Sequence, residues 1–253
     1  MSDLAKKNVL SWKTSLFRLC ILGSLVFSFL GAVPIAHAGL TVSQMTLDLA
    51  DPRQNRSDIT LGNDGDETLY VEVTVEELVI VEGGTQQVRQ GSPDDLGLLV
   101  TPNRLVLEPG QRRIVRAAVL DRPTATERAY QLTMKPLVGN IIADRSVAPG
   151  KKSAMIKVLV GYRILAFIRP AAIVEDLQAT RHGQELRVQN RGNVSILLTD
   201  GRQCPTPATP STSCDKLPTK RVYPGVSWSI SLPHGTPAEF QIVGPSGHSR
   251  REF

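Results

Sequence analysis

Apart from its N-terminal segment, this chain carries few side chains that could do chemistry: Cys204, Cys214, His182, His234 and His248 stand out. Two thiols could hold a metal, but zinc needs about four ligands and no histidine lies at ligand spacing beside this pair. In an exported protein, two cysteines ten residues apart across a Pro- and Thr-rich segment read as a disulfide. Closing so short a loop stabilises by about 2–3 kcal/mol on the chain-entropy model. None of the histidines sits in a catalytic or metal motif, and there is no nucleophile elbow, phosphate loop, H-E-x-x-H or paired-carboxylate signature. The chain therefore reads as a non-enzyme with no cofactor and no metal.

The first residues supply the export that a disulfide requires. Lys6, Lys7, Lys13 and Arg18 precede an apolar run from Leu19 to Val33, which leads to Ala36-His37-Ala38. This is the pattern of a signal peptide over residues 1–38, cleaved after Ala38. The run is shorter than the about 20 apolar residues of a membrane span, and no second span follows, so no membrane insertion is expected after cleavage. Cleavage removes Cys20 and leaves 25 basic against 23 acidic residues. That near-neutral balance offers no footprint for nucleic acid, and Arg250 and Arg251 read as a solvated tail.

The element that dominates the remainder is AMIKVLVGYRILAFIRP, residues 154–170. Every second residue, Ala154, Ile156, Val158, Val160, Tyr162, Ile164, Ala166 and Ile168, is apolar. The opposite face mixes Lys157, Arg163 and Arg169 with Leu159, Leu165 and Phe167. At about 3.3 Å per residue the run would reach roughly 50 Å, where most strands stop by about 10 residues. Such a strand must project past its own sheet or find an apolar partner elsewhere.

Around it the chain alternates short strand patterns with Gly, Pro, Asn and Asp, as in a β-sandwich. Leu40–Leu49 and Ser57–Gly62 read as a first pair, followed by strands at 68–81, 98–100, 104–107, 112–120 and 128–137. GGTQQVRQGSPDD reads as a connecting loop, and Asn140–Lys152 as a second one with exposed apolar residues. Arg169-Pro170 ends the long strand, since proline cannot donate to a ladder, and opens a smaller region with weaker strands at 185–189, 194–199, 227–232 and 240–243. No helix of ordinary length is needed after residue 38.

The order of these features resembles the periplasmic chaperones of chaperone/usher pilus assembly, the PapD/FimC-like family. The resemblance is carried by the export signal, LLVTPNRLVLEPGQRRIVRAAVL with its Thr-Pro strand start and Pro-Gly turn, ERAYQLTMKPL, the long strand ending in FIRPA, and a small second domain. The segments QNRGNVSILLTDGRQC and CDKLPTKRVYPGVSW are more similar to the alternative CooB/CfaA-like class. The resemblance implies an all-β protein of two Ig-like sandwich domains in a boomerang arrangement, 39–169 and 170–253, located in the periplasm. It implies a chaperone that stabilises pilus subunits by donor-strand complementation, lending its own strand to an open groove, and delivers them to an outer-membrane usher. A structural pilus component or surface adhesin built on the same domains is the alternative. Counted back from Arg169-Pro170, the lent residues are Ile156, Val158, Val160 and Tyr162. The family's basic pair, which anchors the subunit's C-terminal carboxylate, falls on Leu165 and near Leu47, and neither can bind an acid. Arg163 is a substitute, as are Arg104 and Arg116 on what read as neighbouring strands. Leu159, Leu165 and Phe167 are then expected to point inward, and Arg169 with Pro170 to form the interdomain hinge.

Overall fold

Alternation at period two turns nearly every expected segment into a strand. The computed structural model describes residues 39–51, 53–81, 86–123, 125–137, 158–206 and 213–253, so the expected signal peptide and residues 138–157, Ile156 among them, lie outside the described residues. The first set of elements is β1 (Leu40–Val42), β2 (Thr46–Leu49), β3 (Arg56–Asn63), β4 (Leu69–Ile80), β5 (Gln86–Arg89), α1 (Pro93–Leu96), β6 (Leu98–Thr101), β7 (Arg104–Leu107), β8 (Arg112–Val119), β9 (Arg128–Leu137) and β10 (Tyr162–Ile168). They form one sheet ordered β1-β3-β8-β6 and another ordered β2-β10-β9-β4-β5, with β7 beside β4. The second set is β11 (Leu177–His182), β12 (Glu185–Asn190), β13 (Ile196–Gln203), β14 (Asp215–Lys216), β15 (Lys220–Val222), β16 (Ser227–Ser231), β17 (Ala238–Gly244) and β18 (Gly247–Glu252). These make sheets ordered β11-β12-β16 and β14-β13-β17-β18, with β15 beside β13. The fold is all-β, two Ig-like sandwiches.

Several sequence expectations change. Leu40–Leu49 does not form one strand of a pair: β1 is antiparallel to β3, whereas β2 crosses to the other sheet and runs parallel to β10. The switch at residues 43–45 lets Leu40, Leu47 and Leu49 all reach one core from two sheets. The segment expected as a loop at 83–95 contains β5, which pairs with the end of β4, and α1. Ser92 caps α1, its hydroxyl accepting from the Asp95 N–H while the Asp95 carboxylate accepts from Ser92 N–H. Arg250 and Arg251 are not a free tail but lie in β18, where Arg250 pairs with Glu239 at 2.7 Å and Arg251 donates to the Leu177 carbonyl at 2.8 Å. β11, β14 and β15 had no expected counterpart, because their short polar sequences lack an apolar alternation.

The first core is filled from both sheets by Ile59, Leu61, Val115, Leu132, Met134 and Ile164, all at most 0% exposed. Tyr130 is buried with them, and its hydroxyl donates to the Leu96 carbonyl at 2.6 Å; burial pushes its pKa up. The second core centres on Leu186, Val188, Leu198, Val222 and Phe240, with Trp228 edge-on to Phe240 at 6.1 Å. Gly201 packs against the Phe240 ring so closely that a Cβ would overlap it. Cys204 and Cys214 are joined in a disulfide, as the sequence implied. Replacing both with serine is expected to cost about 3 kcal/mol, read as a lower denaturant midpoint that reductant reproduces in the wild type. An unchanged midpoint would remove the bond from the stability argument.

Near the end of the first sandwich, Glu77 is 8% exposed and accepts from Arg89 at 2.8 Å and from Arg128 at 2.7 Å. Burial alone would raise its carboxyl, but the hydrogen bonds and charges of Arg128 and Arg89 outweigh that and hold it below the usual range. A carboxyl depressed in the folded state adds stability that is present above its unfolded pKa and lost as pH falls through the folded one. Glu77→Gln is therefore expected to flatten the acid limb of the stability curve between about pH 5 and pH 2. Urea midpoints across that range test this, and equal slopes for both proteins would refute it.

Candidate functional site

The long apolar run is split by its surroundings. Ile164, Ala166 and Ile168 are each 0% exposed in the first core, whereas Val160 is 43% and Val158 79% exposed. All five share one face of the extended chain by their spacing. Tyr162, between the two groups, is half-buried and packs on the first core. Within the described residues, β10 begins only at Tyr162, opposite Met134 of β9.

Backbone directions explain the break. Leu165 N–H donates to the Met45 carbonyl at 3.1 Å and Arg169 N–H to the Leu49 carbonyl at 3.4 Å, so odd-numbered residues address β2 and even-numbered ones β9. Carried two residues past Tyr162–Met134, the register would set Val160 opposite Pro136, which has no N–H to offer. Gly161 lies against β9 just before the strand starts, where a Cβ would stand 3.1 Å from the Met134 carbonyl oxygen. On the other side, pairing with β2 starts only at Leu165–Thr46. Residues 158–163 therefore present an edge that no strand among the described residues pairs on the β2 side, with two exposed valines beside it. An apolar strand edge in this state is a template for another chain.

The opposite face of β10 departs from the sequence expectation. Phe167 is buried, but with Leu78, Ala129 and Tyr223 in a separate cluster against which Leu165 packs, so these residues face away from the first core. The even-numbered residues fill that core instead.

The three basic candidates are not brought together. Arg163 is exposed on β10, its guanidinium directed at the side chain of Gln131 on β9, whose amide oxygen accepts from it. Arg104 lies on β7, beside β4, and pairs with Glu72 at 3.1 Å. Arg116 lies on β8 in the other sheet, bound through two hydrogen bonds of 2.7 Å to Asp58; that bond and charge hold the Asp58 carboxyl below its usual range. Neither strand neighbours β10, which corrects the expectation, because the sheet order was not readable from the chain order.

Arg169 is 3% exposed and bonds to Asp48 at 2.8 Å and to Glu127, with its guanidinium 4.6 Å from the Phe167 ring centre. Both acids precede it in the first set of elements, so Arg169 fastens the end of β10 to β2 and to the segment before β9. Pro170 beside it is buried. Contacts to later residues come from Asn193, whose amide donates to the carbonyls of Ala125 at 3.0 Å and Ala172 at 2.8 Å, and from Tyr223 and Arg221 against Phe167. Sequence reasoning missed Glu127, Asn193, Arg221 and Tyr223; each is a single polar residue whose partner is remote in sequence. His234 is held by Asp215 at 2.6 Å, and among the described residues no group of three His, Cys, Asp or Glu could hold a metal ion.

Neither a protein-family model nor a curated protein matches the sequence. Solved structures do match. The class 5 fimbriae chaperone CfaA superposes with a TM-score of 0.58 at 17% identity, over 84% of this chain and 98% of that one. The E. coli chaperone DraB gives 0.57 at 19%, over 85% and 96%. A structure of the Salmonella enterica SafA pilin in complex with the SafB chaperone gives 0.58 at 15%, over 88% and 98%. The chain has the fold of the fimbrial chaperones. The order of motifs read from the sequence thus pointed to the fold that the described residues adopt. Within this fimbrial-chaperone fold, the open edge at residues 158–163 and the buried cluster around Phe167 lie along one strand, β10 and its approach.

Proposed function

We propose that this chain is a periplasmic chaperone that binds pilus subunits by lending them the segment around Ile156, Val158, Val160 and Tyr162, and that it hands them to an outer-membrane usher. The observation that carries this reading is the pair of exposed valines beyond the paired end of β10, on the face whose later members are core residues. A subunit with an open groove needs two things from a partner, backbone pairing and alternate apolar side chains, and this segment offers both. Support comes from the matching structures whose chaperones are captured with a pilin, as SafB is, or with a tip subunit, as CsuC is. On this reading residues 39–169 and 170–253 are the two domains, and the disulfide suits an oxidising compartment reached through the N-terminal signal.

The test is co-expression with a pilin subunit from the same genome, followed by size-exclusion chromatography of the periplasmic extract. A one-to-one complex is expected, with the pilin aggregating or degraded when the chaperone is omitted. Pilin that remains soluble alone and never co-elutes would overturn the reading.

A further inference from the structure

We infer that Leu159, Leu137, Tyr70 and Val106 form a second contact surface for the pilus subunit, an apolar row at the rim of the sheet that holds β10; the inference rests on the strand-lending reading above. Tyr70 on β4 lies directly opposite Leu137 of β9 on one side and Val106 of β7 on the other. Residues opposite one another in a sheet share a face, so these three side chains stand in line across three strands. All are exposed, at 50%, 38% and 39% respectively. Carried three residues past Tyr162–Met134, the register would set Leu159, which is half-buried, beside Leu137 as the fourth member. Gly161 keeps to that register, since a Cβ on it would stand 3.7 Å from the Lys135 Cα. The same face carries another apolar row at the far end of these strands, where Phe167, Ala129 and Leu78 lie opposite one another and are buried in a cluster with Tyr223. Between the two rows β9 presents Gln131, Thr133 and Lys135. Polar residues thus separate two apolar ends, of which one is covered within the chain and the other is left exposed.

The place of Leu159 selects the occupant. It stands between the exposed Val158 and Val160 but on the other face of the chain, and its backbone groups address the open side, as those of Leu165 and Arg169 address β2. A strand that pairs with the edge at 158–163 therefore sets one of its own residues beside Leu159, on the face of the row, whether it runs parallel or antiparallel. An apolar residue there continues the row by one strand, whereas a charged one would be desolvated against leucine. Leu137 is also the last residue of β9 and Leu69 the first of β4, so the row lines the rim from which the lent segment is offered. A subunit folded around that segment abuts this rim and covers Leu137, Tyr70 and Val106 with its own surface.

The test replaces Tyr70 with the photo-crosslinking amino acid p-benzoylphenylalanine in the full mature chain, co-expressed with a pilin subunit from the same genome. Irradiation of the purified complex is expected to join the two chains covalently. The same probe in place of Ile114, exposed on β8 in the other sheet, should not join them. Tyr70→Thr with Leu137→Thr, which removes apolar surface but keeps strand-forming residues, should weaken the complex by about ten- to a hundredfold and leave the urea midpoint of the free chain unchanged. Crosslinks only to a second copy of this chain, crosslinks only within one chain, or an affinity that the double substitution does not change would overturn the assignment. So would a lowered midpoint of the free chain, which would mean that the row is already covered from within. Val158→Asp with Val160→Asp separates the two readings. If it abolishes the complex while Tyr70→Thr with Leu137→Thr does nothing, strand lending stands and the row fails. If complex and crosslink survive it but affinity falls with Tyr70→Thr and Leu137→Thr, strand lending fails and the row stands as a subunit surface.

Discussion

Arg169→Ala is expected to destabilise the protein by about 3–5 kcal/mol, the range for removing one partner of a buried ion pair. The side chains of Arg169 and Glu127 are 4% and 2% exposed, so the alanine leaves a carboxylate with neither water nor a counter-charge. Glu127 has no slack to absorb the loss, because its Oε1 already lacks a hydrogen-bond partner among the described residues. Asp48, at 40% side-chain exposure, can turn to solvent and adds less. The loss of Arg169 also uncovers one side of Phe167, loosening the cluster with Leu78, Ala129 and Tyr223. Chemical denaturation measures the effect. A double variant, Arg169→Met with Glu127→Leu, should recover most of it by removing the buried charge itself. A loss below about 1 kcal/mol in the single variant would mean that the pair is solvated.

The second large effect falls on binding rather than folding. Val158→Asp with Val160→Asp is expected to weaken the pilin complex by more than about a hundredfold, since each valine buried in a groove contributes about 1.5–3 kcal/mol and each aspartate would have to shed its hydration. Stability should move by less than about 0.5 kcal/mol per site, because both side chains are exposed, at 79% and 43%, in the free chain. That combination distinguishes a lent strand from a core strand, as a core position would fail in both assays. A complex that survives the double substitution, measured by co-purification and by titration of the purified partners, would place the interface elsewhere.

Much of this was legible in the residues. Alternation marked β3, β4, β8, β9 and β10 because their inward faces are apolar at every second position. It failed for β18, whose six residues are all exposed and carry no apolar face, and for the crossing at residues 43–45, where one run serves two sheets. The basic residues were the hardest to place. Arg163, Arg104 and Arg116 are alike as isolated arginines, and only the sheet order separates them: one faces Gln131 beside the open edge, one pairs with Glu72 two strands away, and one is held by Asp58 in the opposite sheet.

By itself the sequence determined an all-β chain, a pair of cysteines spaced to bond with each other, and an apolar face on residues 154–168 longer than one sheet can use, since these are local properties of residue type and spacing. Only the tertiary structure decided where that face stops being core. Pairing with β9 stops at Tyr162–Met134, where the continued register would meet Pro136, and β2 arrives only at Leu165; both ends are set by segments far apart in the chain. The same holds for Arg169, whose partners Asp48 and Glu127 reach it from β2 and from the segment before β9.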